Sequence, residues 1–301
     1  MTVLFGLDVG GTNIKSVAAT SDGQIVARRS DATPRGGSVK QAVQNSIAHL
    51  ERAAGTPEAI GIAVPGLISP DRLTLADLPR DDQDLAGVNW QEFLGFHRAI
   101  PMINDAQAAL LGERWLGAAR GLDHVIMLTL GTGVGGAAIC DGRLLRGWLG
   151  RAGAIGLTSL DAFGPECPYG CPGALEDFVS NGSLSGRSDG RFKTTVDLLH
   201  AVDDGDQQAA EVWERSVRAL AAGIASAINM LDPQRVILGG GIAQAGDQLF
   251  VPLQKWLDRF EWQALPNRRV EIAPAVLGDS AGPLGAIRLA EDFAGEALAI
   301  R

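Results

Sequence analysis

Apolar runs alternate with short glycine-rich turns along much of the chain, and two stretches show this pattern most clearly. They extend from Leu7 to Ala18 and from Leu128 to Ile139. Each is an apolar, partly β-branched run, a Gly/Thr turn and a second apolar run, which predicts two strands joined by a tight turn. Glycines at such a tip can adopt positive φ and bring backbone N–H groups close to an anion. Two facing tips of this kind suit a polyphosphate, although one glycine-rich turn alone is more often structural.

After each hairpin, the apolar periodicity predicts a similar series of elements. The elements predicted after the first hairpin are a strand at 23–29, a helix at 38–54, strands at 59–66 and 100–105, and a helix at 106–116. Those predicted after the second are a strand at 143–145, helices at 175–181, 192–203 and 206–231, strands at 236–241 and 270–273, and a helix at 281–293. Residues 68–94 and 147–173 are expected to be loops. This α/β pattern is typical of the actin-like ATPase fold, in which two ribonuclease-H-like domains form two lobes around a nucleotide cleft.

Composition narrows the class of protein. The 301 residues are 46% hydrophobic and 20% charged, as in globular proteins with room for two domains. The net charge of -9 argues against a nucleic-acid surface. Three cysteines, Cys140, Cys167 and Cys171, agree with a reducing compartment. No apolar run reaches the roughly 20 residues of a membrane helix, and the first residues lack the features of a signal peptide. We therefore expect a cytoplasmic protein that binds neither nucleic acid nor a membrane.

Five motifs occur in an order that points to one family. They are Asp8-Val9-Gly10-Gly11-Thr12, Asn104-Asp105-Ala106, Leu130-Gly131-Thr132-Gly133, Ile237-Leu238-Gly239-Gly240-Gly241 and Gly278-Asp279-Ser280-Ala281-Gly282. With these motifs, essentially the whole chain resembles the ROK family, which contains bacterial sugar kinases, glucokinases among them, and sugar-responsive repressors. The resemblance implies an N-terminal lobe of residues 1–117, to which a C-terminal helix at about 285–301 returns, and a C-terminal lobe of residues 118–284.

The resemblance implies a catalytic role for the second motif. Asp105 would be the base that accepts the proton of a sugar hydroxyl as this hydroxyl attacks the γ-phosphate of ATP. Asn104 has donor and acceptor atoms suited to neighbouring sugar hydroxyls. Asn or Asp before Ala106 is also a good helix N-cap, and the other motifs lead us to favour catalysis over capping alone. The candidate sugar contacts are Asn104, Asp105, Glu176 and Gly66.

The glycine motifs are implied to bind the nucleotide. Asp8 would lie near Mg²⁺ and hold it through water, because Mg²⁺ keeps several waters in phosphate sites. The implied contacts with phosphate and adenosine are Gly10, Gly11, Thr12, Gly131, Thr132, Gly133, Gly240 and Gly241. Lys15 is interpreted as a solvated strand lysine rather than as a phosphate ligand.

The chain departs from the family's pattern at its sugar- and zinc-binding segment. Ala154 stands where the family has a sugar-binding Glu, and Leu157 stands where it has a His that contacts both zinc and sugar. Tyr169 and Ala174 replace two of the three zinc-binding cysteines, which leaves Cys167. Because structural zinc takes four ligands, we expect no zinc site.

The resemblance thus implies an ATP- and Mg²⁺-dependent kinase that acts on a hydroxyl, at the 6-position, of a hexose or hexose-like compound. A homodimer is usual for the family. Two alternatives stay open: a non-catalytic sugar sensor and a degenerate kinase. A repressor would carry a helix-turn-helix domain ahead of the kinase-like part, whereas here the first strand begins about three residues from the start. Polyphosphate in place of ATP also stays open.

Overall fold

The computed structural model describes residues 2–77, 84–262 and 269–299, and the chain forms two compact units. Unit 1 comprises the residues up to Gly121, Arg146–Ala152 and the residues from Val276 onward. Unit 2 comprises Leu122–Leu145 and Gly153–Ala275. The expected lobes divide after residues 117 and 284, whereas these units divide after residues 121, 145, 152 and 275.

The strands and helices follow the alternation that the sequence predicts. The strands are β1 (Val3–Val9), β2 (Asn13–Thr20), β3 (Ile25–Ala32), β4 (Ala59–Val64), β5 (Leu67–Ile68), β6 (Leu75–Asp77), β7 (Met102–Asn104), β8 (Val125–Leu130), β9 (Val134–Cys140), β10 (Arg143–Leu144), β11 (Arg235–Gly239) and β12 (Glu271–Pro274). The helices are α1 (Val39–Ala54), α2 (Trp90–Leu94), α3 (Asp105–Leu116), α4 (Leu175–Val179), α5 (Asn181–Arg187), α6 (Thr195–Asp203), α7 (Gln207–Leu231), α8 (Asp247–Phe260) and α9 (Ala281–Ala299). None of the helices in these described ranges is long and apolar enough to span a bilayer.

The same sheet topology occurs once in each unit. Unit 1 has the strand order β3-β2-β1-β4-β7 and unit 2 has the order β10-β9-β8-β11-β12. In both sheets the first three strands of the unit are antiparallel, and the last two join parallel to the first. This repetition confirms the duplicated α/β architecture. The described part of the segment 68–94, which was expected to be a loop, contains β6 and α2, and helices α5 and α8 were not predicted. Residues 78–83 of that segment lie outside the described residues.

Helix α1 covers one face of the unit 1 sheet. It begins after Ser38, whose side chain accepts a hydrogen bond from the Gln41 N–H at 3.2 Å. Its apolar positions recur at three- and four-residue steps and are buried, as the sequence predicts. They are Val39, Val43, Ile47 and Leu50. The central strands β1 and β4 are buried almost throughout, as strands covered on both faces are.

The backbone of helix α9 packs directly against the backbones of β1 and β4 in unit 1. A Cβ atom on Gly6 in β1 would lie 1.9 Å from the carbonyl oxygen of Pro283. A Cβ atom on Gly61 in β4 would lie 2.0 Å from the carbonyl oxygen of Ala286. Such distances leave no room for any side chain, so glycine is required for this close approach.

A buried carboxylate fixes the segment that leads into α9. Glu113 in α3 is fully buried, and its Oε1 accepts hydrogen bonds from the N–H groups of Val276 and Leu277, each at 2.9 Å. Its Oε2 accepts a third from Ala118 at 2.7 Å. Hydrogen bonds to charged groups contribute about 1.5–3 kcal/mol each, so Glu113 anchors the returning chain to unit 1.

The core of unit 2 lies between its sheet and the long helix α7. Helix α8 packs beside α7 although Pro252 lies within it. Proline has no N–H, so the carbonyl of Gln248, four residues earlier, lacks its helical donor. The indole N–H of Trp213 in α7 donates to this carbonyl at 3.0 Å. The hydrogen bond explains how a proline is tolerated here.

Candidate active site

The polar residues of unit 1 gather at one edge of its sheet. Strands β1, β4 and β7 are parallel, so their carboxyl ends lie at the same edge. Asp8 is near the end of β1, and Asn104 ends β7. The sheet therefore brings together candidate residues that are about a hundred positions apart in the chain.

Asn104 caps α3 and also contacts Gly66. Its Oδ1 accepts hydrogen bonds from the N–H groups of Ala106 at 3.0 Å and Gln107 at 3.3 Å, and its Nδ2 donates to the Gly66 carbonyl at 3.3 Å. Gly66 has a φ of 105°, which favours glycine. The N-cap interpretation is thus confirmed for Asn104. These bonds hold its amide in one orientation beside Asp105.

Asp105 is the first residue of α3. Its Oδ1 accepts a hydrogen bond from the Ala106 N–H at 2.8 Å. The positive end of a helix dipole favours negative charge at this position. Asp105 is therefore a carboxylate held at a helix N-terminus, at the same sheet edge as Asp8.

Asp8 lies in a cluster of charged side chains. It is opposite Lys15 in the antiparallel pair of β1 and β2, and Lys15 Nζ lies 2.6 Å from Asp279 Oδ1. A Cβ atom on Gly282 would lie 2.7 Å from Asp8 Oδ2, so a side chain there would displace the Asp8 carboxyl group. The pKa of Asp8 is raised to about 7, chiefly by burial and then by the negative charge of Asp105, whereas Lys15 lowers it. Asp8 and Asp105 are therefore close enough to repel each other.

The neighbouring carboxylates of Asp8 and Asp105 fit a magnesium ion. Mg²⁺ prefers carboxylate oxygens and water, and a divalent cation relieves repulsion between neighbouring carboxylates.

The same cluster corrects the expectation for Lys15. The interpretation of Lys15 as a solvated lysine was wrong, because only 29% of its side chain is exposed and it pairs with Asp279. Sequence reasoning did not propose Asp279 as a site residue, although the Gly-Asp-Ser-Ala-Gly motif contains it.

We expect Asp8→Asn to stabilise the ligand-free protein at neutral pH. A carboxyl group with a raised pKa binds its proton more tightly in the folded state, so its contribution to stability falls as pH rises from about 4 to 7. Asparagine removes that dependence. We expect the free energy of unfolding to rise by about 2 kcal/mol at pH 8. This is half of the maximum that a pKa change from 3.8 to about 7 allows. Urea unfolding of both proteins at pH 5 and pH 8 measures this difference, and an equal difference at the two pH values would contradict it.

In unit 2, the tip between β8 and β9 is held by its carbonyl groups. The Gly131 N–H donates to the Gly133 carbonyl at 3.0 Å. The first N–H groups of α5 donate to the same loop, Asn181 to Gly131 and Gly182 to Thr132, each at 2.9 Å. The Thr132 side chain is exposed. The loop is thus fixed from the side of α5.

Two further candidate residues lie beside this loop. Gly240 has a φ of 85°, and a Cβ atom on it would lie 2.3 Å from the Leu130 carbonyl oxygen, so glycine is required at this turn. Glu176 Oε2 accepts a hydrogen bond from the Val134 N–H at 3.3 Å, and partial burial raises the pKa of this carboxyl. Gly240 and Glu176 therefore both lie next to the tip between β8 and β9 in unit 2.

The glycines at the two hairpin tips do not use the positive φ that glycine allows. Gly10, Gly11, Gly131 and Gly133 all lie in described ranges, and none has positive φ. At the first tip, the Gly10 N–H donates to the Asn13 carbonyl at 3.0 Å, and this hydrogen bond closes the turn without a positive φ. A Cβ atom on Gly131 would meet only open space. The absence of a side chain, rather than an unusual backbone conformation, keeps that tip bare.

The segment that departs from the family's pattern offers few metal ligands. Ala154 is exposed and precedes a short 3₁₀ turn at Ile155–Leu157, whereas Ala174 is buried before α4. Cys167 and Cys171 lie together, since the Cys167 N–H donates to the Cys171 carbonyl at 2.9 Å. Within the described ranges, no group of three or more His, Cys, Asp or Glu side chains is arranged to hold a metal. The two thiols do not fit the four-ligand geometry of structural zinc.

We expect the purified protein to contain no stoichiometric zinc. The reason is that the residues at the family's ligand positions are Leu157, Tyr169 and Ala174, which bind zinc poorly or not at all. Elemental analysis of protein purified without chelators measures the content. About one zinc per chain would overturn this expectation.

Comparison with known proteins agrees with this geometry. The ROK family model matches residues 4–293. A glucokinase from Halalkalibacterium halodurans is 31% identical over 93% of this chain and 92% of its own length. An N-acetylmannosamine kinase from Yersinia pseudotuberculosis is 34% identical over 79% of this chain and 83% of its own length.

The fold agrees equally well with a solved structure. A ROK family glucokinase from Streptomyces griseus, in complex with glucose and AMPPNP, has a TM-score of 0.83 and 27% identity to this chain. The likeness covers 96% of this chain and 99% of that one, and confirms the actin-like ATPase fold. Because the family model matches nearly the whole sequence, the chain belongs to the ROK family.

Proposed function

We propose that this chain is a sugar kinase that transfers the γ-phosphate of ATP to the 6-hydroxyl of a hexose or hexose-like substrate. The observation that carries the proposal is the pair of carboxylates at one sheet edge, with Asp105 at the N-terminus of α3 and Asp8 at the end of β1. The kinase relatives support it, since two of them are similar to most of this chain in sequence and a ROK family glucokinase has the same fold.

Asp105 and Asn104 would act on the sugar. Asp105 would accept the proton of the attacking hydroxyl, so that the oxygen becomes a stronger nucleophile as its bond to phosphorus forms. Asn104, oriented by Ala106 and Gly66, would bind a neighbouring hydroxyl and hold the sugar in line. Gly66 and Glu176 would contribute the remaining sugar contacts.

The nucleotide would be held largely by backbone groups. Magnesium bound with ATP would neutralise charge that develops on the transferred phosphoryl group, and Asp8 would hold it through water. Backbone N–H groups of the two hairpin tips would donate to phosphate oxygens, apart from those of Gly10 and Gly131, which already donate within the turns. The residues proposed for phosphate and adenosine are Gly10, Gly11, Thr12, Gly131, Thr132, Gly133, Gly240 and Gly241.

We expect a sugar altered near C1 or C2 to be a better substrate than glucose. In the family, Glu and His hold hydroxyls at this end of the sugar, and Ala154 and Leu157 make neither contact. Each lost hydrogen bond to a charged group costs about 1.5–3 kcal/mol, so kcat/KM for glucose should be at least about tenfold below that of the best substrate. The Yersinia pseudotuberculosis relative is named for a kinase of an N-acetylated hexosamine.

Steady-state kcat/KM over glucose, mannose, N-acetylmannosamine, N-acetylglucosamine and inositols tests both the function and the preference. Parallel reactions with ATP and with polyphosphate identify the phosphoryl donor. Glucose as the best substrate would mean that other groups replace the two lost contacts. Sugar binding without turnover with either donor would favour the sensor or degenerate kinase over the sugar kinase.

We also propose that the protein is a cytoplasmic homodimer. The family resemblance supports the dimer, and the small number of cysteines supports a reducing compartment. Light scattering of the purified chain and fractionation of cells that express it check the two statements.

A further inference from the structure

A short hairpin places two cysteines opposite each other in unit 2. The Gly173 N–H donates to the Pro165 carbonyl at 2.8 Å, and the Cys167 N–H donates to the Cys171 carbonyl at 2.9 Å. Between the cysteines, Gly170 has a φ of 77° and makes the turn. Side chains directly opposite across an antiparallel pair lie on the same face. The Cys167 side chain is accordingly close enough to influence the Cys171 thiol, whose pKa it raises.

The two cysteines differ in accessibility. Cys167 is only 5% exposed, and its sulfur accepts a hydrogen bond from the Tyr169 N–H at 3.4 Å. Cys171 is half-buried and is therefore the more accessible of the two. The arrangement has one partly exposed cysteine with a buried cysteine opposite it in the hairpin. In disulfide chemistry, these are the positions of an attacking and a resolving thiol.

We propose that Cys167 and Cys171 form a reversible intrachain disulfide by exchange with a low-molecular-weight disulfide such as oxidised glutathione. The Cys171 thiolate attacks one sulfur of the small disulfide, whose S–S bond breaks and releases one thiol. The Cys167 thiolate then attacks Cys171 Sγ and releases the second thiol. The two cysteine protons and two electrons leave with the two small thiols, so the exchange balances.

The surroundings of the pair set the rate of this exchange. Partial burial raises the pKa of the Cys171 thiol, and Cys167, Glu176 and Asp177 raise it further through their negative charge. The thiolate is the attacking species, so oxidation is slow at neutral pH and accelerates as pH rises. The Cys171 thiol therefore reacts slowly with small molecules, and the mixed disulfide that it forms is then resolved by Cys167.

The crosslink would close a segment that leads directly into α4. The Leu160 N–H donates to the Gly173 carbonyl at 2.8 Å, and the Leu175 N–H donates to the Thr158 carbonyl at 2.9 Å. Glu176 follows Leu175 and reaches the loop at Val134. The disulfide therefore restrains the chain just before a candidate sugar contact. The chemistry itself does not depend on the proposed kinase activity.

The full-length protein tests the proposal directly. Reduced protein, freed of reductant, is incubated with oxidised glutathione at about pH 7 and about pH 9, and its intact mass and free thiols are followed. We expect a loss of about 2 Da, the two thiol hydrogens, a fall from three free thiols to one, and faster reaction at the higher pH. Dithiothreitol should reverse the change, and peptide mapping should join Cys167 to Cys171.

Two variants complete the test. Cys140→Ser should undergo the same loss of mass and end with no free thiol, whereas Cys171→Ser should never lose that mass. A glutathione adduct that persists on wild-type Cys171 would overturn the proposal. A disulfide that includes Cys140, or unchanged mass after prolonged incubation at the higher pH, would also overturn it.

Discussion

Replacement of Asp105 by asparagine should lower kcat at least about 10²-fold, which is the low end of the effect of losing a general base. Asparagine cannot accept the hydroxyl proton. Its side-chain oxygen can still accept the hydrogen bond from Ala106 that Asp105 makes at 2.8 Å, so the start of α3 should be kept. Turnover with the best sugar of the panel measures the loss, and calorimetry measures whether ATP still binds.

A matched variant separates this chemical effect from an effect on helix stability. Asp197 lies in the first turn of α6, so Asp197→Asn makes the same change at another helix N-terminus. We expect this variant to turn over at nearly the wild-type rate. If Asp105→Asn also did so, Asp105 would have no part in proton transfer and the kinase proposal would lose its base.

Gly285→Ala should destabilise the protein by at least about 3 kcal/mol, the upper part of the range for overpacking. A Cβ atom on Gly285 in α9 would lie 1.7 Å from the carbonyl oxygen of Ala108 in α3. Neither atom belongs to a side chain that can rotate away, so one helix backbone must move. Urea unfolding followed by circular dichroism measures the loss, and failure of the variant to accumulate as folded protein would be its extreme form.

The control for this variant is Gly186→Ala. Gly186 lies in α5, and a Cβ atom there would meet nothing within 4 Å. Alanine has the higher helix propensity, so this change should be neutral or stabilise the protein by up to about 1 kcal/mol. Equal stability of the two variants would mean that α9 and α3 are farther apart than the structure places them.

Local patterns in the sequence predicted most of the strands and helices, because each such pattern depends only on residues that are close together in the chain. Alternating apolar runs located both hairpins, and the spacing of Val39, Val43, Ile47 and Leu50 identified the buried face of α1. Helix α8 was not predicted, since proline is typical of helix ends and Pro252 lies within this helix. Only the folded structure shows that Trp213 donates to the Gln248 carbonyl, which Pro252 leaves without a helical donor.

The candidate site was predictable only as far as its motifs. Asp8, Asn104 and Asp105 stand out as polar residues at the ends of predicted strands. The pair of Lys15 and Asp279 joins residues 264 positions apart, and no local pattern connects them. The raised pKa of Asp8 depends first on burial and then on the nearby charge of Asp105, so it too needed the folded structure.

The return of α9 to unit 1 has a consequence for synthesis on the ribosome. Nearly all of unit 2 lies between Leu122 and Ala275, so it can fold as soon as that stretch has emerged. Unit 1 cannot, because α9, which covers the face formed by Gly6 and Gly61, is made after all of unit 2. The first part of the nascent chain must therefore keep an apolar surface exposed while about 150 further residues are translated.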